Sequence, residues 1–385
     1  MIFMYVPSSE IDNIVDAVKN LNVKNNEAVL LMIGERNHPD IDILIAELNE
    51  MKIDFFGAIF PGIIHNTDTY DTGTIVHVIP IIYKPILIEG IKDPRKKLEQ
   101  STASFNLLCK KGATAFIIVD GMTANIAPLL TSMYNLFADS IEYLGCGAGY
   151  IDMQQKPCII SPEGFFEDAA LITFFDTECE IGVHHGWKRD VGPLVVTKSF
   201  GNIIKELNWR NALEVFGEAL QVNYQVDINT DNGYNVLSHY PFGIYVEDHE
   251  DLIREVLKIN DNGELVCAGN IPENVVLSIL KGDKEELFHA AEMAVEDCLG
   301  ENNIDAEHCF VIDCIGRASY LQDDFKEELS TIKRKIESKS VNVVPEGVLS
   351  AGEIASMKGD VLEYFNKTIV IGVLHGPREK VCRNI

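Results

Sequence analysis

One pattern restricts the fold of this sequence more than any other. An apolar strand-like run, an exit containing glycine, an amphipathic helix and a second strand closed by glycine occur three times in this order. The opening runs are residues 28–33, 115–119 and 310–313. The exit and closing glycines are 23, 24 and 31 residues apart, for the pairs Gly34–Gly57, Gly121–Gly145 and Gly316–Gly347. The shared order and similar spacing predict an internal repeat.

The closing turns resemble one another, and each is followed by a further strand. Their sequences are Gly57-x4-Gly62, Gly145-x3-Gly149 and Gly347-x4-Gly352. Apolar runs that alternate with helices are typical of buried strands in parallel or mixed sheets. We therefore predict an α/β (α+β) fold of two similar-sized halves, 1–175 and 176–385, each a mixed β-sheet flanked by helices.

The region between the second and third copies has a different pattern. Segments 180–187 and 192–199 indicate two strands paired with each other, while 210–220 and 285–299 indicate helices.

Composition excludes several classes of function. The formal net charge is −27, from 59 acidic and 32 basic residues, and 46% of residues are apolar. Such an acidic, folded protein is repelled by nucleic acid and by anionic membranes. Nine scattered cysteines without a C-x-x-C pair indicate a reducing compartment. Because the sequence also shows no signal peptide and no membrane-spanning run, we expect a cytoplasmic protein.

The turns that follow the strands are the best candidates for a binding site. Strand–turn–helix units present these turns at the carboxyl ends of the strands, where ligands usually bind. This places Glu35, Asp120 and Cys314 near one edge of the molecule. Arg317 offers a planar fork of donors suited to a carboxylate or phosphate. The alternative for Arg317 is an ion pair with Asp313 or Asp324.

The glycine-rich turns contribute the remaining candidate contacts. Their backbone amides could line a pocket, and Glu353 could meet a cationic or amide group. The candidate ligand-binding residues are Gly145, Cys146, Gly147, Gly149, Cys314, Arg317, Gly352 and Glu353. Cys314 at a helix start is also a candidate thiolate nucleophile, but a small residue tucked into a turn is the commoner situation.

Histidines provide a second hypothesis. His184, His185, His65 or His239 could serve as an axial haem ligand. Adjacent strand residues point to opposite faces, so His184 and His185 would not share one small ion. The sequence contains no H-x-x-x-H pair and no Cys/His quartet, which argues against a structural zinc site. The cofactor, if any, is not defined by these patterns.

Catalytic signatures are absent from the sequence. It has no Walker lysine, no G-x-G-x-x-G after a first strand and no nucleophile elbow. Glu353 has no identifiable partner carboxylate for acid–base chemistry. These observations favour a non-catalytic protein, with an enzyme using Cys314 or Glu353 as an alternative.

An ordered set of short motifs resembles the FIST family (F-box and intracellular signal transduction proteins), in its stand-alone prokaryotic form. The motifs are Gly57…Pro61-Gly62, Gly145-Cys146-Gly147-Ala148-Gly149, His185-Gly186-Trp187, Val196-Thr197-Lys198 with Gly201-Asn202, Pro241-Phe242-Gly243-Ile244, Cys314-Ile315-Gly316-Arg317 and Gly352-Glu353-Ile354 with Asn366. The resemblance covers nearly the whole chain, with 1–175 as the FIST N-like and 176–385 as the FIST C-like region.

The resemblance implies a sensory protein that binds a small, amino-acid-like metabolite in a cleft. It also implies a separate signalling partner, such as a histidine kinase or a cyclic-di-nucleotide enzyme. Some members resemble haem-binding nitric oxide sensors, which supports the haem alternative. Arg317 would anchor an anionic group of the ligand, and Glu353 would meet a cationic one.

Overall fold

The chain forms three repeated α/β units and one strongly curved antiparallel sheet, called here the curled sheet. The curled sheet lies between the second and third units in sequence. These parts are seen in a computed structural model that describes residues 2–92, 112–123, 126–228, 236–247, 249–300, 306–339, 341–356 and 362–375.

The first unit is formed near the amino terminus. Its elements are β1 (Ile2–Val6), α1 (Ile11–Asn20), β2 (Glu27–Gly34), α2 (Ile41–Glu50), β3 (Asp54–Phe60), β4 (Gly62–His65), β5 (Asp68–Tyr70) and β6 (Thr74–Pro80). Seven of the eight residues of β2 are buried, as its apolar run predicts.

The second unit repeats the plan. Its elements are β7 (Ile86–Glu89), β8 (Thr114–Asp120), α3 (Ile126–Phe137), β9 (Glu142–Ala148), β10 (Ile159–Ser161), β11 (Gly164–Phe166) and β12 (Ala169–Phe175). All seven residues of β8 are buried.

The curled sheet follows. Its elements and neighbours are β13 (Cys179–His184), β14 (Lys188–Phe200), β15 (Ile203–Leu207), β16 (Arg210–Asn211), α4 (Ala212–Tyr224), β17 (Phe242–Ile244), β18 (Leu252–Arg254), β19 (Val256–Ile259), β20 (Leu265–Cys267), β21 (Val276–Lys281) and α5 (Lys284–Leu299). Both predicted helices, α4 and α5, are present. The Asn211 side chain accepts hydrogen bonds from the first turn of α4, and the Asp283 side chain does the same for α5.

The third unit completes the described chain. Its elements are β22 (Ala306–Cys314), α6 (Ile315–Leu321), α7 (Phe325–Ser338), β23 (Pro345–Ser350), β24 (Glu353–Ser356), β25 (Leu362–Phe365) and β26 (Ile369–His375).

The pairing of the strands confirms the predicted repeat and the mixed α/β fold. Each unit has a parallel pair, namely β2 with β3, β8 with β9 and β22 with β23. In each unit the later strand, β6, β12 or β26, pairs antiparallel with the first strand of that pair. Three mixed sheets therefore share one topology, with helices packed against them.

The hairpin after each closing turn leaves its own unit. Hairpin β4–β5 joins β23 of the third unit, β24–β25 joins β9 of the second, and β10–β11 joins β3 of the first. The exchange is cyclic, because every unit gives one hairpin and receives one. Rings of Phe116 and Phe310, from different units, lie 5.6 Å apart, so the units also share a core.

The closing glycines occupy equivalent positions in this exchange. Gly57, Gly145 and Gly347 lie opposite Ile160, Ile354 and Ile64 of the incoming hairpins. A Cβ atom on them would lie 2.2 Å, 2.2 Å and 1.8 Å from a backbone oxygen of the parallel partner strand. Only glycine permits this close approach of the two backbones.

The prediction that 180–187 and 192–199 pair with each other is wrong. Strand β13 pairs with β26 in the sheet of the third unit. Strand β14 pairs with β15 and β21 instead. His185, Gly186 and Trp187 lie between the two strands, and the positive φ of Gly186, 75°, lets the chain leave one sheet and enter the other. Local strand patterns do not specify pairing partners, because these depend on packing in the whole sheet.

The curled sheet nearly closes on itself. Its strands run in the order β18-β17-β21-β14-β15-β20-β19, and only Glu255 separates the edge strands β18 and β19. Its inner face packs on α4 through buried residues such as Phe216 and Phe242, whose rings are 5.1 Å apart. Arg254 and Glu255 at this seam face the third unit. The boundary between 175 and 176 stays a prediction.

Candidate functional site

The carboxyl ends of the three parallel pairs carry different chemistry. The final residues of β2, β8 and β22 are Gly34, Asp120 and Cys314, in equivalent positions. In the second unit the Asp120 carboxylate accepts hydrogen bonds from Gln155 Nε2 at 2.9 Å and from the Asp168 backbone N–H at 2.7 Å. In the first unit the Glu35 carboxylate, directly after Gly34, accepts from the Ile151 backbone N–H at 2.8 Å.

Most of the candidate residues predicted from sequence meet between these two units. Glu353 of β24 lies opposite Cys146 of β9. The N–H of Gly147 donates to Gly352 O at 2.7 Å, and the Cys314 thiol donates to the Glu353 carboxylate. Gly145 precedes Cys146 on the same strand.

The backbone amides of the glycine turn are engaged within the protein. Besides the Gly147–Gly352 bond, the N–H of Gly149 donates to Ile59 O at 2.9 Å. Through these backbone hydrogen bonds, the glycines link three strands to one another. Their role as pocket-lining amides remains a prediction.

Glu353 is enclosed completely and still has polar neighbours. Ser350 Oγ donates to its carboxylate, and the Thr368 N–H lies 3.4 Å from it. Burial raises the pKa of Glu353 to about 8, although the hydrogen bonds from Ser350, Cys314 and Thr368 oppose the shift. Glu353 is therefore mostly protonated at neutral pH.

Cys314 has the environment of an unreactive thiol. Burial raises the pKa of the Cys314 thiol well above its usual value, and the nearby carboxyls of Glu353 and Glu255 raise it further. Lys367 counteracts this only in part. Because the thiolate is the nucleophile, burial and the neighbouring carboxyls disfavour Cys314 in that role.

Arg317 is surrounded by protein acceptors. Its Nε and Nη2 donate to the two carboxylate oxygens of Glu328 at 2.9 and 2.8 Å. Its remaining bonds go to the backbone oxygens of His185 and Leu287. Asp313, one of the predicted ion-pair partners, lies 3.8 Å away, and the side chain of Arg317 is 0% exposed. Direct contact with a ligand would require Arg317 to give up part of this set.

Sequence reasoning missed a second buried ion pair beside Glu353. Lys367 Nζ lies 3.0 Å from Glu255 Oε1 and 3.0 Å from Gly316 O, over the ring of Trp187 at 5.2 Å. Glu255 covers the exit turn so closely that a Cβ on Gly316 would lie 2.6 Å from its Oε2. The sequence contains one signal for this ion pair, namely that Lys367 lies inside a short polar turn, 366–368, between two buried strands.

The candidate haem ligands are occupied by protein contacts where the structure describes them. His185 has both ring nitrogens engaged, with Asp251 O at 3.0 Å and the Trp187 N–H at 2.9 Å. His184 Nε2 lies 2.9 Å from Asp297, and His65 Nδ1 lies 2.9 Å from Glu346. The His239 ring lies 5.2 Å from the ring of Tyr320.

The protonation of two histidines differs. Burial favours neutral His184, but hydrogen bonds to Glu250 and Asp297 outweigh it and raise the pKa of His184. Burial lowers the pKa of His185. Within the described ranges, no group of three or more His, Cys, Asp or Glu side chains is placed to hold a metal ion. No helix in that part of the chain is long and apolar enough to cross a membrane.

The three α/β units exchange hairpins and are joined to the curled sheet. Two regions of the sequence therefore contribute strands to the same sheets. Residues 27–210 match the FIST N domain, and residues 212–356 match the FIST C domain. The chain belongs to the FIST family, whose domains are associated with sensing in signal transduction. No curated protein matches the sequence.

Proposed function

We propose that this chain is a non-catalytic sensor that binds a small amino-acid-like metabolite. The site is the buried cluster around Glu353, in the cleft where the two family regions meet. It signals through a separate protein, such as a histidine kinase or a cyclic-di-nucleotide enzyme. The observation that carries the proposal is a buried set of acidic and basic side chains, Glu353, Glu255 and Lys367, beside the pairing of a FIST C strand with a FIST N strand.

The mixed charges suit a zwitterion. Glu353 and Glu255 can face an ammonium group, whereas Lys367 can face a carboxylate after leaving Glu255. Buried ion pairs are costly to desolvate and contribute little stability on their own, which supports a role in binding for this cluster. Cys314 and the turn glycines Gly145, Gly147, Gly149 and Gly352 contact the ligand in this proposal if the strands that they hold together separate. Arg317 contacts the ligand's anionic group if the Glu328 pair opens, and otherwise holds the exit turn in place.

The same cluster connects binding to a change that another protein can detect. Glu353 belongs to β24 of the FIST C region, which pairs with β9 of the FIST N region. Glu255 lies at the seam of the curled sheet. A ligand that binds one arrangement of these parts better than another shifts their populations.

Calorimetry and thermal shift test this proposal directly. We expect an amino acid or small carboxylate to raise the Tm of the full chain. Because Glu353 holds a proton near pH 7, a ligand ammonium should lower the pKa of Glu353 and release up to about one proton per molecule bound. Calorimetry in two buffers of different ionisation enthalpy measures that release.

Glu353→Gln should remove the proton release and weaken binding, while Glu47→Gln, on the exposed face of α2, should change neither. Arg317→Lys keeps the charge and separates an anchoring role from a purely structural one. The proposal is wrong if none of these compounds raises the Tm, or if Glu353→Gln binds with the same affinity and no proton is released by the wild type. A Soret band after haem addition would favour the haem alternative.

A further inference from the structure

A tight turn on the curled sheet carries a residue that local preference disfavours. Leu207 and Arg210 are paired, so Asn208 and Trp209 form a two-residue hairpin connection. Both have positive φ, 50° and 61°, as a type I′ turn requires. Asparagine is common at the first position, and glycine is the usual residue at the second. Tryptophan there is a genuine outlier, because its Cβ makes this conformation unfavourable.

Burial in the folded chain does not compensate for this unfavourable conformation of Trp209. Its side chain is 78% exposed. The turn itself is held by backbone and Asn208 contacts: the Asn208 N–H donates to Val195 O at 2.9 Å, and the Val195 N–H donates to Asn208 Oδ1 at 2.8 Å. None of these bonds needs an indole ring. Strained residues that persist without an internal benefit point to a function outside the fold.

Apolar side chains on the strands beside this turn are partly or largely accessible: Val195 is half-buried, whereas Val276 and Tyr245 are exposed. Val195 of β14 is directly opposite Val276 of β21. The Tyr245 N–H donates to Val276 O at 3.0 Å, next to the pair Ile244–Leu277. Opposite residues in antiparallel strands share a face.

This face is the outer one of the curled sheet. The adjacent residues Leu194 and Leu277 are buried on the other side, against α4. Val276 is 43% exposed and Tyr245 is 53% exposed. Val195, Val276 and Tyr245 share this face, and Trp209 is in the turn whose Asn208 bonds to Val195. These four residues are here called the tryptophan row.

The charges around the tryptophan row identify the chemistry of its complement. Its cations are already paired: Arg189 with Asp251 at 2.7 Å, Lys198 with Glu206 at 3.4 Å and Arg210 with Glu218 at 2.6 Å. Glu247, two residues after Tyr245, and Glu273, three residues before Val276, form no salt bridge with a residue that the structure describes; the Glu273 carboxylate accepts from the Ser199 N–H at 3.1 Å. With a net charge of −27 on the whole chain, this rim attracts a basic surface and repels a second copy of the chain.

We propose that the tryptophan row is the docking surface for a protein partner that presents an apolar patch rimmed by lysine and arginine. Exposed Trp and Tyr are the residues that most often dominate binding energy at protein interfaces. The basic rim of the partner fits the unpaired acids around the row. The surface lies on the outside of the curled sheet, away from the buried cluster around Glu353.

A continuous set of contacts joins this surface to that cluster. The Arg189 guanidinium lies 4.7 Å from the Tyr245 ring centroid, and its Nε donates to Asp251. The Asp251 backbone oxygen faces His185 Nε2 at 3.0 Å, and the His185 backbone oxygen accepts from Arg317. The inference that the docked partner detects ligand binding through these contacts rests on the proposed function. The docking of the partner does not rest on it.

Quantitative affinity capture with the immobilised full chain tests the docking surface. The baits are the wild type, the double variant Trp209→Ser/Tyr245→Ser, and the matched control Ile43→Ser, which removes an exposed apolar residue from α2. The protein most enriched by wild type over the double variant is purified and titrated against each bait at 50 and 300 mM NaCl, chosen to bracket roughly physiological screening. We expect the double variant to bind at least about tenfold more weakly, Ile43→Ser to bind as wild type, and high salt to weaken binding.

Trp209→Gly distinguishes a docking role from a structural one. Glycine fits the positive φ of 61°, so this variant should have a higher Tm, by about 1–2 °C, and still lose the partner. A lower Tm would mean that the indole supports the fold.

Three results would overturn the proposal. The first is equal capture by wild type and the double variant, which includes capture of nothing by either. The second is an affinity that salt leaves unchanged, and the third is dimerisation of the wild type that Trp209→Ser abolishes. The last result would assign the row to a second copy. Loss of the metabolite response with docking intact would instead count against the proposed function alone.

Discussion

At the scale of single residues, the third unit concentrates ionisable groups that water does not reach. Asp313, Arg317, Glu328, Glu353 and Lys367 are each 0% exposed. Taking a charge out of water costs several kcal/mol unless it is paired or neutralised. Arg317 and Glu328 solve this by a bidentate pair, whereas Glu353 solves it by keeping its proton. The two solutions respond differently to pH.

Glu353 should make stability depend on pH. Its pKa in the folded chain is about 8, above the ordinary value of 4.5, so the folded chain retains a proton that the unfolded chain releases between these values. The contribution is full below the lower value and is lost as pH rises toward the upper one, at about 1.4 kcal/mol per pH unit. Glu353→Gln should therefore gain stability relative to wild type between pH 5 and pH 8, measured by urea unfolding.

Glu47→Gln provides the comparison for this experiment, because Glu47 is exposed and its substitution should leave the pH profile of wild type unchanged. Parallel profiles for Glu353→Gln and wild type would show that Glu353 ionises normally in the folded chain.

Part of this site could be predicted from sequence. The turn glycines, Cys314 and Glu353 stand at repeated positions, so the repeat alone places them at the ends of neighbouring strands. The partners of Arg317 could not be predicted, since His185 O is 132 residues away. The same holds for Lys367 and Glu255, which meet only because the seam of the curled sheet docks on the third unit.

At the scale of elements, the parallel pairs depend on glycine where the backbones approach. Gly347→Ala would place a Cβ 1.8 Å from Val311 O, so β22 and β23 would have to separate. We expect a loss of about 3 kcal/mol or more, at the upper end of overpacking costs. Chemical denaturation measures it.

Gly217→Ala is the matched control. Its added Cβ would meet only the end of the Ile228 side chain, Cδ1 at 3.2 Å and Cγ1 at 3.5 Å, and alanine is the better helix former in α4. It should be neutral or slightly stabilising. Equal losses at the two positions would contradict the argument from backbone approach.

The elements themselves were largely predictable, but their exchange was not. Apolar periodicity reveals β2, β8 and β22 because each is buried on both faces. Hairpins such as β4–β5 are short. Nothing in their sequence shows whether their pairing partner is a neighbouring strand or one some 280 residues away. The choice of β23 by β4 is fixed by packing of the whole ring of units.

At the scale of the whole molecule, the cyclic exchange makes the two family regions interdependent. A fragment of residues 1–210 contains β4 and β9 without β23 and β24, their neighbours in the full chain. We expect this fragment and its complement, 211–385, to lack cooperative unfolding when separate. Mixed or co-expressed, they should recover it.

Circular dichroism and urea unfolding of each fragment and of the mixture measure this interdependence. A fragment of residues 1–210 that unfolds as cooperatively as the full chain would show that exchanged hairpins are dispensable.

The exchanged hairpins also have a consequence for synthesis. Strand β4 leaves the ribosome long before β23, its partner in the finished sheet, has been translated. Until then its apolar residues Ile63 and Ile64 have an unsatisfied edge, and exposed edges of this kind invite aggregation. We therefore expect the nascent chain to need protection from aggregation, since the ring of units cannot close until β23 (Pro345–Ser350) and β24 (Glu353–Ser356) have been translated.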